Sequence, residues 1–309
     1  MGNFNFWYFC SLDSVRNQSY KPVEIILINN SSDSDFLAWA KNNYPDIQIF
    51  IYKENLLFCL THNKGIAESK GEYALCLNDD VILEEDFIKR AVEAMQRDNS
   101  IGMVSGKLMR MDKKTIDSAG LFLARSRIPK ERGFGDIDAG QYENPGYVFG
   151  VSGAAGFYRR KMLEDIKIGD DYFDSDYGIF YDDLDLCWRA NRFGWKGYYA
   201  PSAIAYHLRG GTVKENNPRI SFLKRYNFAY LPLNLQAHLM KNRYMTIIKN
   251  DSLRALILNI SPVAWYEIKL WSYALFFKPR LIWETIKNAQ YFLKALGKRK
   301  SIQERKTLV

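Results

Sequence analysis

The sequence predicts an α/β fold: a doubly wound, mixed and mostly parallel sheet followed by a basic helical extension. Short apolar runs alternate with segments of helical periodicity through most of the 309 residues. Polar clusters follow the apolar runs, which places candidate ligand-binding loops at the carboxyl ends of the strands. The last part of the chain changes to helices rich in lysine and aromatic residues. We therefore expect two domains, residues 1–212 and residues 213–309.

The first predicted strand, at 23–28, is an apolar run broken only by Glu24. It ends in the polar cluster 29–33, which predicts a loop and a helix cap. The other elements expected before residue 71 are a helix at 9–18, a helix at 36–42, a strand at 47–52 and a helix at 61–69. Because only a helix precedes this strand, we expect either a sheet that lacks its first strand or a chain that starts late.

A buried strand expected at 73–77 ends on two adjacent carboxylates. Gly71 opens this strand, and Asp79 and Asp80 follow it. Carboxylates at this edge of a sheet suit Mg²⁺ or Mn²⁺ that holds a diphosphate. They also suit a turn that caps the next helix, which is expected at 84–97. The residues alone leave both explanations open.

Residues 101–150 lose the strand pattern and are rich in glycine and charge. We expect a long excursion or a mobile loop there, since long irregular loops in compact domains are often functional lids. Order is expected to return at 148–158. The small residues of that segment allow a backbone to approach closely either to a ligand or to a packed neighbour.

Three carboxylates, Asp182, Asp183 and Asp185, lie at the start of a predicted helix that ends at Gly194. A helix N-terminus favours the ionised carboxylate, which is the form that a general base needs. The same position suits an N-cap, which contributes about 1 kcal/mol. One carboxylate suffices for a cap, so the other two favour a functional role.

His207 closes the second of two further strands, expected at 197–200 and 203–207, just before a Gly-Gly loop. It is one of three histidines in the chain. A histidine at a strand end can reach a metal ion, although a single histidine is more often structural.

The tail differs from the rest of the chain in charge. Residues 209–309 contain 19 Lys and Arg against 5 Asp and Glu, whereas the residues before them contain 24 against 30. Apolar residues from 282 to 296 follow helical spacing among lysines, and 270–277 is nearly all apolar. Such helices suit an anionic membrane surface, a helical subdomain packed on the sheet, or both. Since no nucleic-acid-binding signature is present, no nucleic-acid partner is expected.

Composition argues against several classes of protein. There is no apolar run of roughly 18 uncharged residues, so no transmembrane span is expected. The first residues lack the basic region and cleavage site of a signal peptide. The four cysteines form no CxxC pair, which indicates reduced thiols and neither a disulfide framework nor a zinc site. We expect a cytoplasmic protein, peripheral at the inner face of the plasma membrane.

Six short segments, taken in order, resemble the family 2 inverting glycosyltransferases of GT-A fold, especially the bacterial rhamnosyltransferase-like group. The segments are 29–33, 54–56 with 63–66, 77–80, 152–154, 182–187 and 206–207. The resemblance runs from about residue 12 to residue 212, and the tail is similar to the basic helical extension of that group. The chain departs from the family at Leu57, where the family has glycine, at 59–61, where it has small residues, and at Asp182, where it has glutamate.

The resemblance implies roles for single residues. Asp80 and His207 would hold a Mg²⁺ or Mn²⁺ ion against the departing nucleoside diphosphate, and Asp183 would take the proton from the acceptor hydroxyl. The residues that would bind the nucleotide donor are Asn30, Asn63, Asp79 and Gly153.

The activity that the resemblance implies is transfer of a sugar, with rhamnose as the first candidate, from a nucleoside-diphosphate sugar. The acceptor would be lipid-linked or a cell-surface polysaccharide. The expected lack of the first strand raises a different possibility, a non-catalytic membrane-surface module descended from such an enzyme. A nucleotidyltransferase also uses a metal and diphosphate site, but it fits the carboxylates near Asp183 and the basic tail less well.

Overall fold

The computed structural model describes residues 6–30, 34–209, 228 and 231–306. The chain divides into two compact units. The first unit is Met1–Phe122 with Glu131–Leu208, and the second is Leu123–Lys130 with Arg209–Val309. The domain boundary expected at residues 212 and 213 lies outside the described residues.

Helices and strands alternate in the first part of the first unit, as the apolar patterns predict, whereas several strands follow one another between residues 101 and 159. The helices are α1 Phe6–Arg16, α2 Ser34–Asn43, α3 Leu57–Glu68, α4 Phe87–Met95, α5 Arg160–Ile166 and α6 Asp182–Arg192, with a short 3-10 helix at Ser175–Tyr177. The strands before residue 208, of which β7 and β8 extend into the second unit, are β1 Ile26–Asn29, β2 Gln48–Ile51, β3 Tyr73–Leu77, β4 Val81–Leu83, β5 Ile101–Arg110, β6 Ile116–Ser118, β7 Leu121–Leu123, β8 Pro129–Glu131, β9 Gly146–Val148, β10 Ala155–Arg159 and β11 Lys196–His207.

Seven of these strands form one mixed sheet. Its order is β3-β10-β5-β11-β4, with β6 beside β5 and β9 beside β11. β5 and β11 are parallel, whereas β10 is antiparallel to β3 and to β5. β1 and β2 form a separate parallel pair, and β7 pairs with β8. The sheet is mixed, as expected, but antiparallel pairs have a larger share than the sequence pattern predicts, because β10 lies between β3 and β5.

The expectation of a loose excursion at 101–150 is wrong at its start. β5 lies in the middle of the sheet, and nine of its ten residues are buried. Its glycines are needed for packing: a Cβ on Gly106 would lie 2.3 Å from the carbonyl oxygen of Ala203 and 2.6 Å from the ring of Phe87. Such close approach of a backbone is possible only without a side chain. The glycines that suggest a loop in the sequence therefore belong to a central strand.

The charges of the same segment are also part of its packing. Lys107 on β5 is buried, yet its ammonium group forms ion pairs with Asp138, at 3.0 Å, and with Glu143. Because a buried charge must be paired, the carboxylates of 138 and 143 belong with the sheet. The rest of the segment carries the short strands β6 to β9.

The main core of the first unit lies between the sheet and α4. Phe87, Ala91 and Met95 of α4 are almost fully buried in one cluster with Val104 and Ala205 of the sheet. Apolar residues at helical spacing on α4 predict this face.

The first helix is attached to this core by a buried glutamine. Gln18, just after α1, is 2% exposed. Its side chain donates to the carbonyl of Glu84 and accepts from the N–H of Ile88, both at 2.8 Å. The segment that follows α1 is therefore bound to the start of α4.

The second unit is helical. Its helices are α7 Leu233–Asn250, α8 Leu253–Leu258, α9 Ile260–Phe277, α10 Pro279–Lys287 and α11 Ala289–Lys306. Its core contains Ala237 and Met240 of α7, Leu270 and Ala274 of α9 and Leu281 of α10. Among the described helices, none is both long and apolar enough to cross a membrane.

Buried charges of the second unit are paired inside it. Arg243, 1% exposed, donates to the Glu267 carboxylate at 2.7 and 2.9 Å and to the carbonyls of Ser126 and Arg127. Arg127 in turn pairs with Asp251 at 2.6 Å. These contacts explain why residues 123–130 belong to the second unit.

Candidate functional site

The carboxylate pair after β3 lies beside the turn that precedes β10. β3 and β10 are antiparallel neighbours, so the end of one strand and the start of the other meet at the same edge. The N–H of Asn78 donates to the carbonyl of Ala154 at 2.9 Å. Asp79 and Asp80 are therefore adjacent to the turn that contains Gly153.

Asp183 contacts this turn from the first turn of α6. Its Oδ2 accepts from the N–H of Gly153 at 3.1 Å, and its Oδ1 accepts from the N–H of Leu184 at 2.7 Å. Two N–H donors and a helix N-terminus both stabilise an ionised carboxylate. A Cβ on Gly153 would lie 3.4 Å from the Cβ of Asp183 and 3.4 Å from the ring of Phe58. Glycine thus allows the turn to approach this carboxylate closely.

Asp182, next to Asp183, is buried, whereas Asp183 is half-buried. Burial and the neighbouring Asp183 carboxylate raise the pKa of Asp182 well above its ordinary value. The environment of Asp182 therefore disfavours its charged form. Neighbouring carboxylates whose environments push their protonation apart are a common basis for acid and base roles.

Asp182→Asn is expected to be more stable than the wild type at neutral and higher pH. The unfolded chain releases this proton at about pH 4, whereas the folded chain holds it to higher pH, so the wild type loses stability as pH rises from about 4. An asparagine has no proton to lose. Thermal unfolding should give similar Tm values for the two proteins at about pH 4, and the Tm of Asp182→Asn should exceed that of the wild type increasingly as the pH rises to about 8. The exposed Asp170→Asn is the control, and a separation of the same size there would contradict this account.

Asp185, the third carboxylate of the cluster, is structural. Asp185 and Arg189 are both 0% exposed, and Arg189 Nε lies 3.0 Å from Asp185 Oδ2. The Tyr177 hydroxyl also donates to Asp185, at 3.2 Å. Arg189 further donates to the carbonyls of Ile166, at 2.6 Å, and Tyr172, at 2.7 Å. This ion pair therefore fixes α6 to the segment that precedes it.

Three bulky residues at the site have left-handed backbone angles. The φ values are 57° for Leu57, 68° for Phe180 and 65° for Tyr181. Such angles disfavour an L-residue by about 1–2 kcal/mol, which explains why the resembling family has glycine where this chain has Leu57. Phe180 and Tyr181 lead directly into Asp182. Backbone strain of this kind is concentrated at functional sites, where the surrounding structure maintains it.

His207 lies between two carboxylates. Its Nε2 is 3.2 Å from Asp80 Oδ1, and its Nδ1 is 2.8 Å from Asp117 Oδ2. Burial alone would lower the pKa of His207, but the hydrogen bonds to Asp117 and Asp80 outweigh it and raise the pKa to about 9. Asp117 fixes the ring so that Nε2 faces Asp80. Metal-binding histidines have the same arrangement, with a carboxylate on the second ring nitrogen.

Asp80 and His207 are the two residues that the sequence predicts as metal ligands, and the structure places them 3.2 Å apart. A carboxylate oxygen and an imidazole nitrogen suit Mn²⁺, and the carboxylate also suits Mg²⁺. Within the described residues, no group of three or more His, Cys, Asp or Glu side chains is arranged to hold a metal ion. Mg²⁺ sites often use one or two protein carboxylates and complete the shell with substrate phosphates and water. The residues present therefore fit a cation that is shared with a diphosphate.

The predicted donor-binding residues outside this cluster make other contacts. Asn30, after β1, donates to Thr61 Oγ1 at 2.8 Å, and its Oδ1 is buried with no hydrogen-bond partner among the described residues. Asn63 bonds the Asp171 side chain and the backbone of 172 and 173, so it holds α3 to that segment. Asp79 is exposed. Residues 31–33 of the polar loop lie outside the described residues.

Two carboxylates of the site, Asp117 and Glu131, are absent from the sequence prediction. Asp117 is 0% exposed on β6, and Glu131 accepts hydrogen bonds from the hydroxyls of Ser118 and Ser152. Both carboxylates lie in the segment expected to be a loop. The available signal was an aspartate inside the otherwise small and apolar run 116–121, which is unusual unless its charge is paired.

Comparison of the sequence with known proteins identifies a family and a relative. A family model described as Glycosyl transferase family 2 matches residues 11–167. The poly-beta-1,6-N-acetyl-D-glucosamine synthase of Staphylococcus epidermidis is 24% identical over 210 residues, which are 66% of this chain and 47% of that protein. This chain thus spans about half the length of the curated relatives it matches.

Comparison of the structure identifies glycosyltransferases of GT-A fold. The mannosyltransferase PcManGT from Pyrobaculum calidifontis, in complex with GDP-Man and Mn²⁺, has a TM-score of 0.52 at 15% identity. The alignment covers 97% of this chain and 84% of the mannosyltransferase chain. S. aureus TarS 1–349 has a TM-score of 0.56 at 13% identity, and the alignment covers 94% of this chain and 77% of the TarS chain. The predicted GT-A-like α/β fold with C-terminal helices is confirmed.

Proposed function

The chain belongs to glycosyl transferase family 2, and from that premise we propose that it transfers a sugar from a nucleoside-diphosphate donor to a hydroxyl of a polysaccharide or lipid-linked acceptor. The observation that carries this proposal is the placement of Asp183. Its carboxylate is held by the N–H of Gly153, in the turn that also contacts the segment of Asp80. The proposed base and the proposed cation ligand Asp80 thus lie at one edge of the sheet.

In the proposed reaction, Asp183 accepts the proton of the acceptor hydroxyl. The hydroxyl oxygen attacks the anomeric carbon while the bond from that carbon to the diphosphate breaks, so a single displacement inverts the configuration. A divalent cation, Mg²⁺ or Mn²⁺, held by Asp80 and His207 would neutralise the charge of the departing diphosphate. Burial raises the pKa of Asp182, which disfavours a second negative charge beside the proposed base.

The nucleotide is proposed to lie between β1 and the Asp79–Asp80 pair. The buried Oδ1 of Asn30 can accept an N–H of the base, and the exposed Asp79 can accept a ribose hydroxyl. Gly153 leaves room for the sugar next to Asp183. Asn63 would act indirectly, because its hydrogen bonds hold α3 in place.

The sugar itself can be determined by a transfer assay. Two donors should be compared: UDP-N-acetylglucosamine, which the name of the relative suggests, and dTDP-rhamnose, which the resemblance in the sequence suggests. The purified full chain, a donor, Mn²⁺ and an oligosaccharide acceptor are incubated, and the new anomeric proton is observed by NMR. Transfer from one donor with inverted configuration would support the proposal. Absence of transfer and of nucleotide binding would favour a non-catalytic protein.

We also propose that the second unit binds an anionic membrane surface. Thirteen large apolar side chains on the described part of α8 to α11 are more than half exposed: Leu253, Ile257, Leu258, Ile260, Trp265, Ile268, Leu275, Phe276, Phe277, Trp283, Ile286, Leu293 and Leu296. Exposed apolar surface on this scale marks an interaction site.

The charges around this apolar surface favour lipid as its partner. The ammonium of Lys269 lies 5.4 Å from the Trp265 ring centroid, and that of Lys287 lies 5.8 Å from the Trp283 centroid. Lysine beside tryptophan on an amphipathic helix is typical of a membrane interface. The negative potential of the cytoplasmic leaflet would attract these helices, so a position at the inner face of the plasma membrane is part of the proposal.

Replacing Trp265, Phe276 and Trp283 together by serine is expected to weaken binding to phosphatidylserine vesicles at least about tenfold, because three large side chains no longer enter the lipid. Vesicle flotation at low and high salt measures the binding, which should also fall as salt rises. The matched control replaces three exposed apolar residues of the first unit, Ile51, Leu60 and Ile137, by serine.

Equal loss of vesicle binding in both triple variants would contradict the membrane proposal. Light scattering covers the other possible occupant of the apolar surface, a second copy of the chain. A wild-type dimer that becomes a monomer in the Trp265, Phe276 and Trp283 variant, with no vesicle binding by either, would assign the surface to self-association.

A further inference from the structure

A series of hydrogen bonds and of adjacent residues connects His207 with Asp183. It passes through β6, where Asp117 and Ser118 are consecutive. Asp117 contacts His207 Nδ1 at 2.8 Å. The Ser118 hydroxyl donates to Glu131 Oε2, and the Ser152 hydroxyl donates to Glu131 Oε1 at 3.0 Å.

The last step of this series reaches the base. Ser152 precedes Gly153, and the N–H of Gly153 donates to Asp183 at 3.1 Å. Glu131 is thus connected through Ser152 and Gly153, by two hydrogen bonds, to Asp183, the carboxylate that the proposed function uses as its base. Each oxygen of the Glu131 carboxylate accepts from a different element, one from β6 and one from the turn before β10.

Burial strengthens this connection. Ser118 is 0% exposed and Ser152 is 5% exposed, so water competes poorly for their hydroxyls. Ser118 is also anchored, because it pairs with Leu108 of β5, the central strand of the sheet. The Glu131 carboxylate therefore ties the turn of Ser152 and Gly153 to the most rigid part of the first unit.

We propose that Glu131 is a positioning residue of the transfer reaction: its carboxylate bridges Ser118 and Ser152 and so fixes the Gly153 N–H that orients Asp183. This inference rests on the proposed function. A carboxylate suits the position because it offers acceptors to both hydroxyls. Neither the local pattern nor the resemblance in the sequence pointed to Glu131.

Glu131→Ala is expected to lower kcat by roughly 10- to 100-fold, since small misplacements of a reacting group have effects of this size. The KM for the donor should change less than kcat, because the contacts of His207 with Asp80 and Asp117 do not include the Glu131 carboxylate. Glu131→Gln, which keeps one acceptor oxygen and nearly the same shape, should lose less kcat than Glu131→Ala. The control is Glu93→Ala, an exposed carboxylate on α4.

A second readout does not require activity. Amide hydrogen exchange at Gly153 should be faster in Glu131→Ala than in the wild type and unchanged in Glu93→Ala. If Glu131→Ala does not fold, Glu131→Gln serves for both readouts, with a smaller change in the same direction.

The outcomes separate this inference from the proposed function. A kcat that falls more than the donor KM changes, with faster exchange at Gly153, would support the positioning role. Unchanged exchange at Gly153, or unchanged kcat in an active enzyme, would overturn it. If the wild type transfers no sugar, the proposed function fails, while the exchange rate at Gly153 still decides whether Glu131 holds the turn.

Discussion

Asp183→Asn is expected to lower kcat for sugar transfer by roughly 100- to 10,000-fold, the usual contribution of a general base. An amide cannot accept the proton of the acceptor hydroxyl. It keeps one side-chain oxygen as an acceptor for the N–H of Gly153 or of Leu184, so the site should retain its shape. Steady-state transfer rates and nucleotide binding by the variant check both parts of this expectation.

Asp182→Asn is the matched control for Asp183→Asn. Asp182 is the neighbouring residue, and burial raises its pKa, which disfavours the charged form that a base needs. Its amide should therefore keep far more activity. Full transfer activity in Asp183→Asn, or equal losses in the two variants, would show that another group accepts the proton.

The buried pair of Asp185 and Arg189 should have the largest effect on stability. Asp185→Ala is expected to lower the free energy of unfolding by about 3–5 kcal/mol, because the Arg189 guanidinium would then be buried without its carboxylate. Denaturant unfolding at neutral pH measures this loss.

The double variant Asp185→Leu with Arg189→Met tests the reason for the loss. Removing both charges should recover part of the stability, since no charge is left buried alone. Recovery should be incomplete, because the carbonyls of Ile166 and Tyr172 lose the donors that Arg189 supplied. A loss below about 0.5 kcal/mol in Asp185→Ala, the range of ordinary surface substitutions, would contradict a structural role for the pair.

Local sequence patterns predict the strands that consist of one apolar run with clear boundaries. The strand expected at 73–77 is β3 with the same bounds, because an apolar run between a glycine and two aspartates allows few alternatives. The strands expected at 197–200 and 203–207 are one strand, β11. Its pairing with β5 shifts register between Ala200 and Ile204, where Pro201 has no N–H for the sheet.

Local patterns fail where distant residues decide the structure. β5 resembles a loop in the sequence because its glycines accommodate Phe87 and Ala203, and because its lysine is paired with residues more than thirty positions away. Asn63 matches a family segment, yet its hydrogen bonds reach residues 171–173. No window of neighbouring residues contains these partners.

The sequence predicts only some residues of the candidate site, because the others depend on partners that are distant in the chain. The segments that resemble the family gave Asp80, His207 and Asp183, and the structure brings Asp80 to His207 and Gly153 to Asp183. Asp117 and Glu131 were not predicted, because each acts through a hydrogen bond to a residue far along the chain. Their roles depend on the fold and not on a motif.

The most direct test of the proposed donor site is thermal unfolding of the full chain with UDP, dTDP or GDP, each with and without Mn²⁺. A nucleotide at 100 times its dissociation constant should stabilise the fold by about 2.7 kcal/mol, which raises Tm by a few degrees. We expect one nucleotide to raise the Tm of the wild type and of the exposed Asp170→Ala control only when Mn²⁺ is present. Asp80→Ala should not respond. If no nucleotide raises Tm, or if Asp80→Ala responds as the wild type does, the cation and donor site described here is contradicted.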